Sequence, residues 1–466
     1  MNLRPKVGVL ALSLELYETL APGLRLSREN WMRKEVIPAL LPKHDVLFDG
    51  ALFQRSAIDT TIAEYEAKGI DALLVILLAY SPSQITLPAL KRTRCPILIW
   101  NTQELQKVDD GFSLAQMIDN HGVHGTQDLS NVLIRSEVPF HFVTGHPGDP
   151  ETLLEIEQFL SACAAVQKLR RSSFGLLGYP FPGMGDFALD TTHLVATLGC
   201  SCTVLPLQEL ISRSLATDIN LTRALMASYR QAYSVAPDIT EADLQSTANA
   251  ELALRGMIED HKLDGLSYQF TAFGDDERSA TLPFVAASRM MADGIGFGGE
   301  GDLIATAGTC LLNWLHPPAS FAEMFTIDFA GNSIFMSHMG EANTAMARRD
   351  HKIRLVARPT PITRTRDRQL ALVVSFEPGP ATLAALTLGP AQKWRVIASH
   401  VNIEDYGPLS SLCVPHFKMK PAGDVRQFLT AYAQSGGPHH LAVCFGDARP
   451  QLRFACKLMQ ADYLEV

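Results

Sequence analysis

The first third of the sequence alternates short apolar runs with helical segments, and this rhythm restricts the fold more than any other feature. The apolar runs lie at 7–14, 44–48, 73–78 and 96–100, with helical patterns between them. Runs such as 7–14 and 73–78, which are apolar at nearly every position, are typical of strands buried on both faces. The alternation therefore predicts a parallel sheet with helices on both sides.

The rhythm changes twice along the rest of the chain. A second strand and helix alternation begins at Ser173, after a long helix predicted for 151–169. After Pro317-Pro318, strands follow closely with Pro and Gly between them, which favours an antiparallel sheet or barrel. We predict two Rossmann-like, doubly wound α/β domains and a mostly antiparallel, barrel-like β domain. The domains are 1–165, 166–318 and 319–466, and a length of 466 residues fits three of them.

Composition excludes several classes of protein. With 47% hydrophobic and 19% charged residues, the chain is not intrinsically disordered. A net charge of −9, with no basic cluster longer than 168–171, argues against nucleic acid as a partner. The sequence shows no run near the roughly 18 apolar residues of a membrane helix. Eight cysteines without a CxxC pair predict buried thiols and a cytoplasmic protein.

Carboxylates and imidazoles are concentrated in three segments of the second half of the chain. A nucleotide-binding loop is not indicated, because no GxGxxG or Walker loop follows a predicted strand. They occur in GFGGEGD, in SFAEMFTIDFAGNSIFMSHMGEAN and in GGPHH. Ligation by oxygen and nitrogen without thiolate suits Mn²⁺, with Mg²⁺, Co²⁺ or Zn²⁺ as alternatives. Spacing alone does not establish such a site, because single Glu and His residues usually serve other roles. The candidates are Glu300, Asp302, Glu323, Asp328, His338, Glu341, His439 and His440.

The order and spacing of GFGGEGD, SF-x-E, SHM-x-E and GGPHH resemble the L-arabinose isomerase family, within the wider L-fucose/L-arabinose isomerase group. YSPSQITLPALKRTRCPILIWNTQ and DNHGVHGTQD resemble its first-domain segments more weakly. The resemblance implies a metal-dependent aldose–ketose isomerase acting on a small sugar. It also implies a homo-oligomer, a trimer or hexamer, whose active sites are shared between chains.

Individual roles follow from the resemblance. It implies Glu300, Glu323, His338 and His440 as metal ligands, with His439 as an open alternative to His440. It implies that Glu300 and Glu323 are also catalytic, without deciding which one moves the carbon proton. Core packing is the simpler explanation for a single Met and an alternative for Phe273. A capping or interface role is an equal alternative for His121 and His124. The implied substrate-binding residues are Phe273, Met339, Met184, His124 and His121, with His124 reaching the cleft of a neighbouring subunit.

The implied reaction moves one proton between C1 and C2 and another between O1 and O2. The enediolate that forms between these steps needs its charge stabilised by the metal, while the two glutamates carry the protons.

Two departures from the family pattern bear on the substrate. Leu14 and His121 stand where the family has glutamines. Polar groups that pair with substrate hydroxyls can discriminate by about 10⁴ or more. The substrate therefore stays open among L-arabinose, L-fucose, D-galactose and an acidic or modified sugar. A non-catalytic sugar-binding protein is the alternative from another class, and it predicts no bound metal.

Overall fold

The computed structural model describes residues 3–276, 278–279, 281–358 and 368–466. The chain forms two compact units, Leu3–Gln167 and Lys168–Val466. Within the described ranges, no helix is long and apolar enough to cross a membrane.

The first unit is built on a parallel sheet, as the alternation in the sequence predicted. The sheet runs in the order β2-β1-β4-β5-β6, and β3 also pairs with β1. Its strands are β1 (Lys6–Leu12), β2 (Asp45–Leu47), β3 (Ala51–Leu52), β4 (Ala72–Leu77), β5 (Ile97–Asn101) and β6 (His141–Thr144). Its helices are α1 (Tyr17–Leu20), α2 (Leu24–Trp31), α3 (Ile37–Leu40), α4 (Arg55–Ala67), α5 (Ser83–Arg92), α6 (Leu114–Asp119) and α7 (Gly122–Arg135). Helix α8 (Pro150–Arg170) runs on into the second unit.

Pro38 does not end its helix, although proline usually breaks a helix by removing a donor and crowding the preceding turn. Helix α2 continues through a π turn at Met32–Val36 into α3, which carries Pro38 in its first turn. The wider π turn lies directly before the proline, where the regular hydrogen-bond ladder has to be interrupted.

The second unit begins with another parallel sheet, in the order β11-β10-β7-β8. Its strands are β7 (Ser173–Leu177), β8 (Ser201–Leu205), β10 (Gly265–Tyr268) and β11 (Gly296–Gly298), and β9 (Ser234–Val235) belongs to a smaller sheet. The helices are α9 (Thr191–Leu198), α10 (Leu207–Leu215), α11 (Ile219–Ala232), α12 (Glu241–Asp260), α13 (Phe284–Ala292) and α14 (Leu303–Leu315), with a 3-10 helix at Phe270–Asp275.

The second unit continues into a closed antiparallel barrel of six strands. The ring runs β16-β19-β12-β13-β18-β17 and closes between β17 and β16, while β20 pairs with β17 from outside. The ring strands are β12 (Ala319–Asp328), β13 (Ser333–Ser337), β16 (Gly379–Leu388), β17 (Trp394–Ile403), β18 (His416–Pro421) and β19 (His440–Phe445). The other elements are β14 (Arg354–Arg358), β15 (Gln369–Val373), β20 (Asp462–Glu465), α15 (Val425–Gln434), α16 (Arg449–Met459) and 3-10 turns at Thr344–Met346 and Pro390–Gln392.

The predicted fold class, two α/β parts followed by an antiparallel barrel, is thus confirmed. The boundaries at 165 and 318 stay a prediction.

A buried carboxylate joins helices α11, α12 and α13 of the second unit. Glu251 is fully buried on α12, and each of its oxygens has a partner. Tyr229 donates to Oε2 over 2.7 Å, while Arg255 and Arg289 donate to Oε1 over 2.8 and 2.9 Å. Charge-assisted hydrogen bonds of this kind offset the cost of burying a charge. Glu251 therefore serves the packing of these three helices.

Candidate metal centre

The register of the barrel brings three of the implied ligands together. Glu323 on β12 lies directly opposite His440 on β19, and opposite Ser337 at the end of β13 on its other side. His338 is the next residue after Ser337. Residues directly opposite one another on antiparallel strands share a face of the sheet, so their side chains meet. A bulge in β12 follows Glu323 between Met324 and Thr326, as is common next to active sites.

Glu300 reaches the same place from the turn between β11 and α14. Its backbone has φ +60°, a left-handed conformation that is uncommon for a residue with a side chain. The next residue, Gly301, has φ +85°, and a Cβ there would lie 2.6 Å from the backbone of Tyr179 and Pro180. A glycine is therefore required at 301. Backbone strain of this kind gathers at functional sites.

Four side chains converge closely enough to hold one ion. One ligand atom from each of Glu300, Glu323, His439 and His440 lies within 4.8 Å of the others. Nε2 of His440 is 2.9 Å from Oε1 of Glu323 and 3.2 Å from Oε2 of Glu300. Nε2 of His338 lies 3.8 Å from Oε1 of Glu323. The structure thus brings together all four implied ligands and the alternative His439.

The two buried imidazoles are each held at Nδ1 by a carboxylate. Asp302, which caps α14 by accepting from the backbone of Ala305, also lies 2.8 Å from Nδ1 of His440. Glu341 lies 2.5 Å from Nδ1 of His338 and accepts a hydrogen bond from Tyr268. In each histidine the carboxylate holds Nδ1, so that Nε2 faces the other ligands. Metal-binding histidines are usually oriented in this way.

Charge at the centre is balanced between carboxylates and imidazoles. Burial alone would raise the pKa of Glu300, but the imidazoles of His439 and His440 hold that pKa well below its usual range. Burial alone would lower the pKa of His440, whereas the carboxylates of Asp302, Glu300 and Glu323 raise it well above its usual value. Carboxylates packed this closely favour a positive charge between them.

Two buried atoms at the centre have no hydrogen bond to any described residue. They are Oε2 of Glu300 and Nε2 of His440, although they lie close to one another. Buried polar atoms are nearly always paired. Buried ligand atoms that lie close together without a hydrogen bond between them are the arrangement expected around an ion. The residues present therefore fit a divalent cation.

A small cavity of about 30 Å³ adjoins Glu300 and His338. Met339, Phe270 and Phe284 are among the residues that line it. Phe273 is buried against Tyr268 in the core of the α/β part instead, and lines a separate cavity beside Leu210. The 3-10 turn places Phe270, and not Phe273, at the cavity beside Glu300.

The loop before α9 holds Met184 and a residue that the sequence analysis missed, Asp186. Met184 is half-buried, and the loop is joined to the centre by the amide of Phe181, which donates to the carbonyl of Glu300 over 2.9 Å. Oδ2 of Asp186 lies 2.6 Å from Nδ1 of His439 and accepts from the His439 backbone amide over 3.0 Å. The sequence feature that could have pointed to Asp186 is an acidic residue within a loop rich in Gly and Pro.

The two candidate substrate-binding histidines of the first unit, His121 and His124, lie at the start of α7. His121 occupies the N-cap position without a capping hydrogen bond from its side chain. Its Nε2 lies 2.8 Å from the hydroxyl of Tyr17, and its Nδ1 lies 2.5 Å from the carbonyl of Ile118. The rings of His121 and His124 meet edge to face at 5.7 Å. Their substrate-binding role stays a prediction.

Family models match successive parts of the chain. The models for the N-terminal, central and C-terminal domains of L-arabinose isomerase match residues 34–171, 188–315 and 318–462. These three ranges cover most of the chain in the order that the family has them.

Curated relatives match over most of their length. The L-arabinose isomerase of Acidothermus cellulolyticus is 26% identical over 83% of this chain and 79% of its own. The enzyme of Arthrobacter sp. strain FB24 is 26% identical over 87% of this chain and 80% of its own. The enzyme of Thermotoga neapolitana is 25% identical over 83% of this chain and 78% of its own. The solved structure of an ABC-transporter solute-binding protein from Burkholderia multivorans matches 57% of this chain and 80% of its own at 11% identity. Its TM-score of 0.18 is too low to indicate a shared fold.

Proposed function

Because the chain belongs to the L-arabinose isomerase family of aldose–ketose isomerases, we propose that it interconverts an aldose and its ketose with a divalent cation. The proposed ligands are Glu300, Glu323, His338 and His440. The supporting observation is the pair of buried atoms Oε2 of Glu300 and Nε2 of His440, which lie 3.2 Å apart without a hydrogen bond to any described residue. Ligation by oxygen and nitrogen without thiolate favours Mn²⁺, with Mg²⁺, Co²⁺ or Zn²⁺ as alternatives.

The side chains divide the chemistry among themselves. A bound divalent cation would supply a Lewis acid that stabilises negative charge on adjacent sugar oxygens. One of the two glutamates removes the proton from C2 of the aldose and delivers it to C1. The other moves the proton between O2 and O1, so that the hydroxyl at C2 becomes a carbonyl and the aldehyde becomes an alcohol. Asp302 and Glu341 hold the imidazoles in place.

Removal of metal tests this proposal together with the reaction. Protein dialysed against a chelator should lose at least about 100-fold in ketose formation, and Mn²⁺ should restore it, because charge stabilisation by a metal contributes several kcal/mol to such a step. The assay is a screen of L-arabinose, L-fucose, D-galactose and other aldoses with Mn²⁺, read as ketose. Metal analysis gives the bound stoichiometry.

Two results would contradict the proposal. One is full activity without metal. The other is Mn²⁺ binding without conversion of any sugar. If no metal were retained after a Mn²⁺ soak, the alternative of a non-catalytic sugar-binding protein would be favoured.

An anionic aldose is the second candidate substrate, and one observation favours it. Arg358 is 4% exposed, and its Nε and Nη1 have no hydrogen-bond partner among the described residues. Its guanidinium lies 5.8 Å from the ring centre of Phe284, which lines the cavity beside Glu300. A guanidinium keeps its charge when buried; the carboxylate of Glu341 offsets part of the cost, and an anionic substrate would offset more of it. Uronic acids and aldose phosphates therefore belong in the screen, and Arg358→Met should impair those sugars selectively.

We also infer that the active form is a homo-oligomer with sites shared between chains. Helices α1, α6 and α7 and the residue before α1 expose several large apolar side chains near His121, His124 and Tyr17 in the sequence, which is typical of an interaction surface. The side chains are Leu16, Leu20, Leu114, Met117 and Val123.

Mixing two inactive variants tests the shared site. Coexpressed Glu300→Gln and His124→Ala chains should recover activity that neither has alone, because random pairing leaves about one intact site in four. Steady-state rates and light scattering report activity and oligomer size. A mixture no more active than the sum of its parts would contradict shared sites.

A further inference from the structure

His439 and His440 are neighbours in sequence, yet their surroundings differ sharply. The imidazole of His440 is fully buried, and its Nε2 lies between Glu323 and Glu300. The imidazole of His439 is 40% exposed, and its Nε2 lies 3.8 Å from Oε2 of Glu300. His440 therefore faces the ion position from inside the barrel wall. His439 stands at its rim, where a ligand arriving from solvent would meet it.

Each imidazole is held at Nδ1 by its own aspartate, and the two aspartates come from different loops. Asp302 holds His440 from the start of α14. Asp186 holds His439 from the loop before α9, and one oxygen, Oδ2, contacts both the ring nitrogen and the backbone amide of His439. Two contacts from one carboxylate oxygen fix the ring relative to its own backbone. Nε2 of His439 is thereby directed to the rim of the centre.

The loop that carries Asp186 is tied to the centre by two further contacts. The ring of Phe187 stacks on His440 with centroids 5.3 Å apart and an interplanar angle of 11°. The amide of Phe181 donates to the carbonyl of Glu300. Asp186 itself keeps 37% of its side chain exposed. Its substitution would therefore remove the contact to His439 without opening a cavity.

We propose that Asp186 is a positioning residue that orients His439 toward the oxygens of the sugar. The inference rests on the proposed isomerase function. His439 then offers Nε2 as a hydrogen-bonding group to a sugar hydroxyl, while His440 alone of the pair holds the cation. An imidazole whose Nδ1 is held in place loses less rotational freedom when substrate binds.

The test compares Asp186 with Asp302, because both hold an imidazole but should affect different quantities. In Asp186→Ala, kcat/KM for the sugar should fall by about 10–100-fold, as is typical when an outer partner is removed. The Mn²⁺ affinity and the melting temperature should stay as in the unchanged chain. In Asp302→Asn, the Mn²⁺ affinity itself should fall by about 10–100-fold. Mn²⁺ binding is read by titration, independently of turnover.

Two further variants separate positioning from a structural role. Asp190→Asn changes an acidic residue of the same loop that caps α9, where asparagine caps equally well, and should leave kcat/KM unchanged. The double variant Asp186→Ala/His439→Gln should be no worse than His439→Gln alone, because residues that act through one another are not additive.

Several outcomes would overturn the inference. A loss of Mn²⁺ affinity in Asp186→Ala would make His439 a ligand, and a fall in melting temperature with additive losses would make Asp186 structural. Full kcat/KM in Asp186→Ala, with an active unchanged chain, would refute the positioning role and leave the isomerase function standing. No ketose from the unchanged chain with Mn²⁺ bound would refute both.

Discussion

Glu300→Gln and Glu323→Gln should each reduce turnover of aldose to ketose by at least about 10³-fold, the largest effect expected of any single change in this chain. Glutamine keeps the shape and one oxygen ligand of the side chain, but it cannot accept and return a proton. General acid–base catalysis alone is worth about 10²–10⁴-fold, and a weakened cation site adds to the loss. Rates are measured at saturating Mn²⁺, with circular dichroism to establish folding.

Deuterium transfer from solvent identifies the role of each glutamate. The variant that lacks the carrier of the carbon proton should stop exchanging the C2 hydrogen of the aldose with D₂O. The other variant should keep that exchange while ketose formation is lost. Glu404→Gln, a change in a barrel glutamate that pairs with Lys418, serves as the matched control and should remain fully active. Full activity in both Glu300→Ala and Glu323→Ala would refute the assignment.

Glu251→Gln should cost about 3 kcal/mol of folding free energy, the largest effect on stability expected from the structure. Removing one partner of a buried ion pair typically costs about 3–5 kcal/mol, because the remaining charge loses its compensation. The lower end applies since the side chains of Arg289 and Arg255 are 23% and 35% exposed. Scanning calorimetry with and without the substitution measures the shift of the transition.

Glu209→Gln provides the comparison for Glu251. Glu209 pairs with Arg213 one helical turn away and with His261, but its side chain is 25% exposed. Exposed pairs of this kind contribute about 0–1 kcal/mol. Equal shifts for the two substitutions would show that burial of Glu251 contributes nothing.

Local patterns in the sequence predicted the fold class, because strand burial and helix periodicity depend on nearby residues. The parallel sheets and the antiparallel, barrel-like part followed from the spacing of apolar runs and turn residues, whereas closure of the barrel between β16 and β17 did not. The continuation of the helix through Pro38 could not be predicted from the sequence. A π turn at Met32–Val36 precedes the proline and lets the helix continue. Such a turn leaves no pattern in the sequence that distinguishes it from an ordinary helix.

The centre could be predicted only in part, because its residues meet through long-range pairing. Family resemblance selected Glu300, Glu323, His338 and His440, whereas spacing alone left eight candidates. The pairing of Glu323 with His440 depends on the register of β12 against β19, which no local pattern encodes.

Two further residues depend on loop geometry. Phe270, and not Phe273, lines the cavity beside Glu300 because the turn after β10 is helical. Asp186 contacts His439, which is far away in the sequence, and only the folded loop brings the two residues together.

The pairing of Glu323 with His440 would also have a consequence for uptake of the proposed cation. In a strand, a slip of one residue turns every side chain to the opposite face. A barrel closed in the wrong register would therefore separate Glu323 from His440 and could not take up the ion. Binding that occurs only in the native register stabilises that register by mass action. Binding of the cation would thus stabilise the correctly assembled barrel. The fraction of protein with bound cation in a preparation would then measure the fraction that has folded correctly.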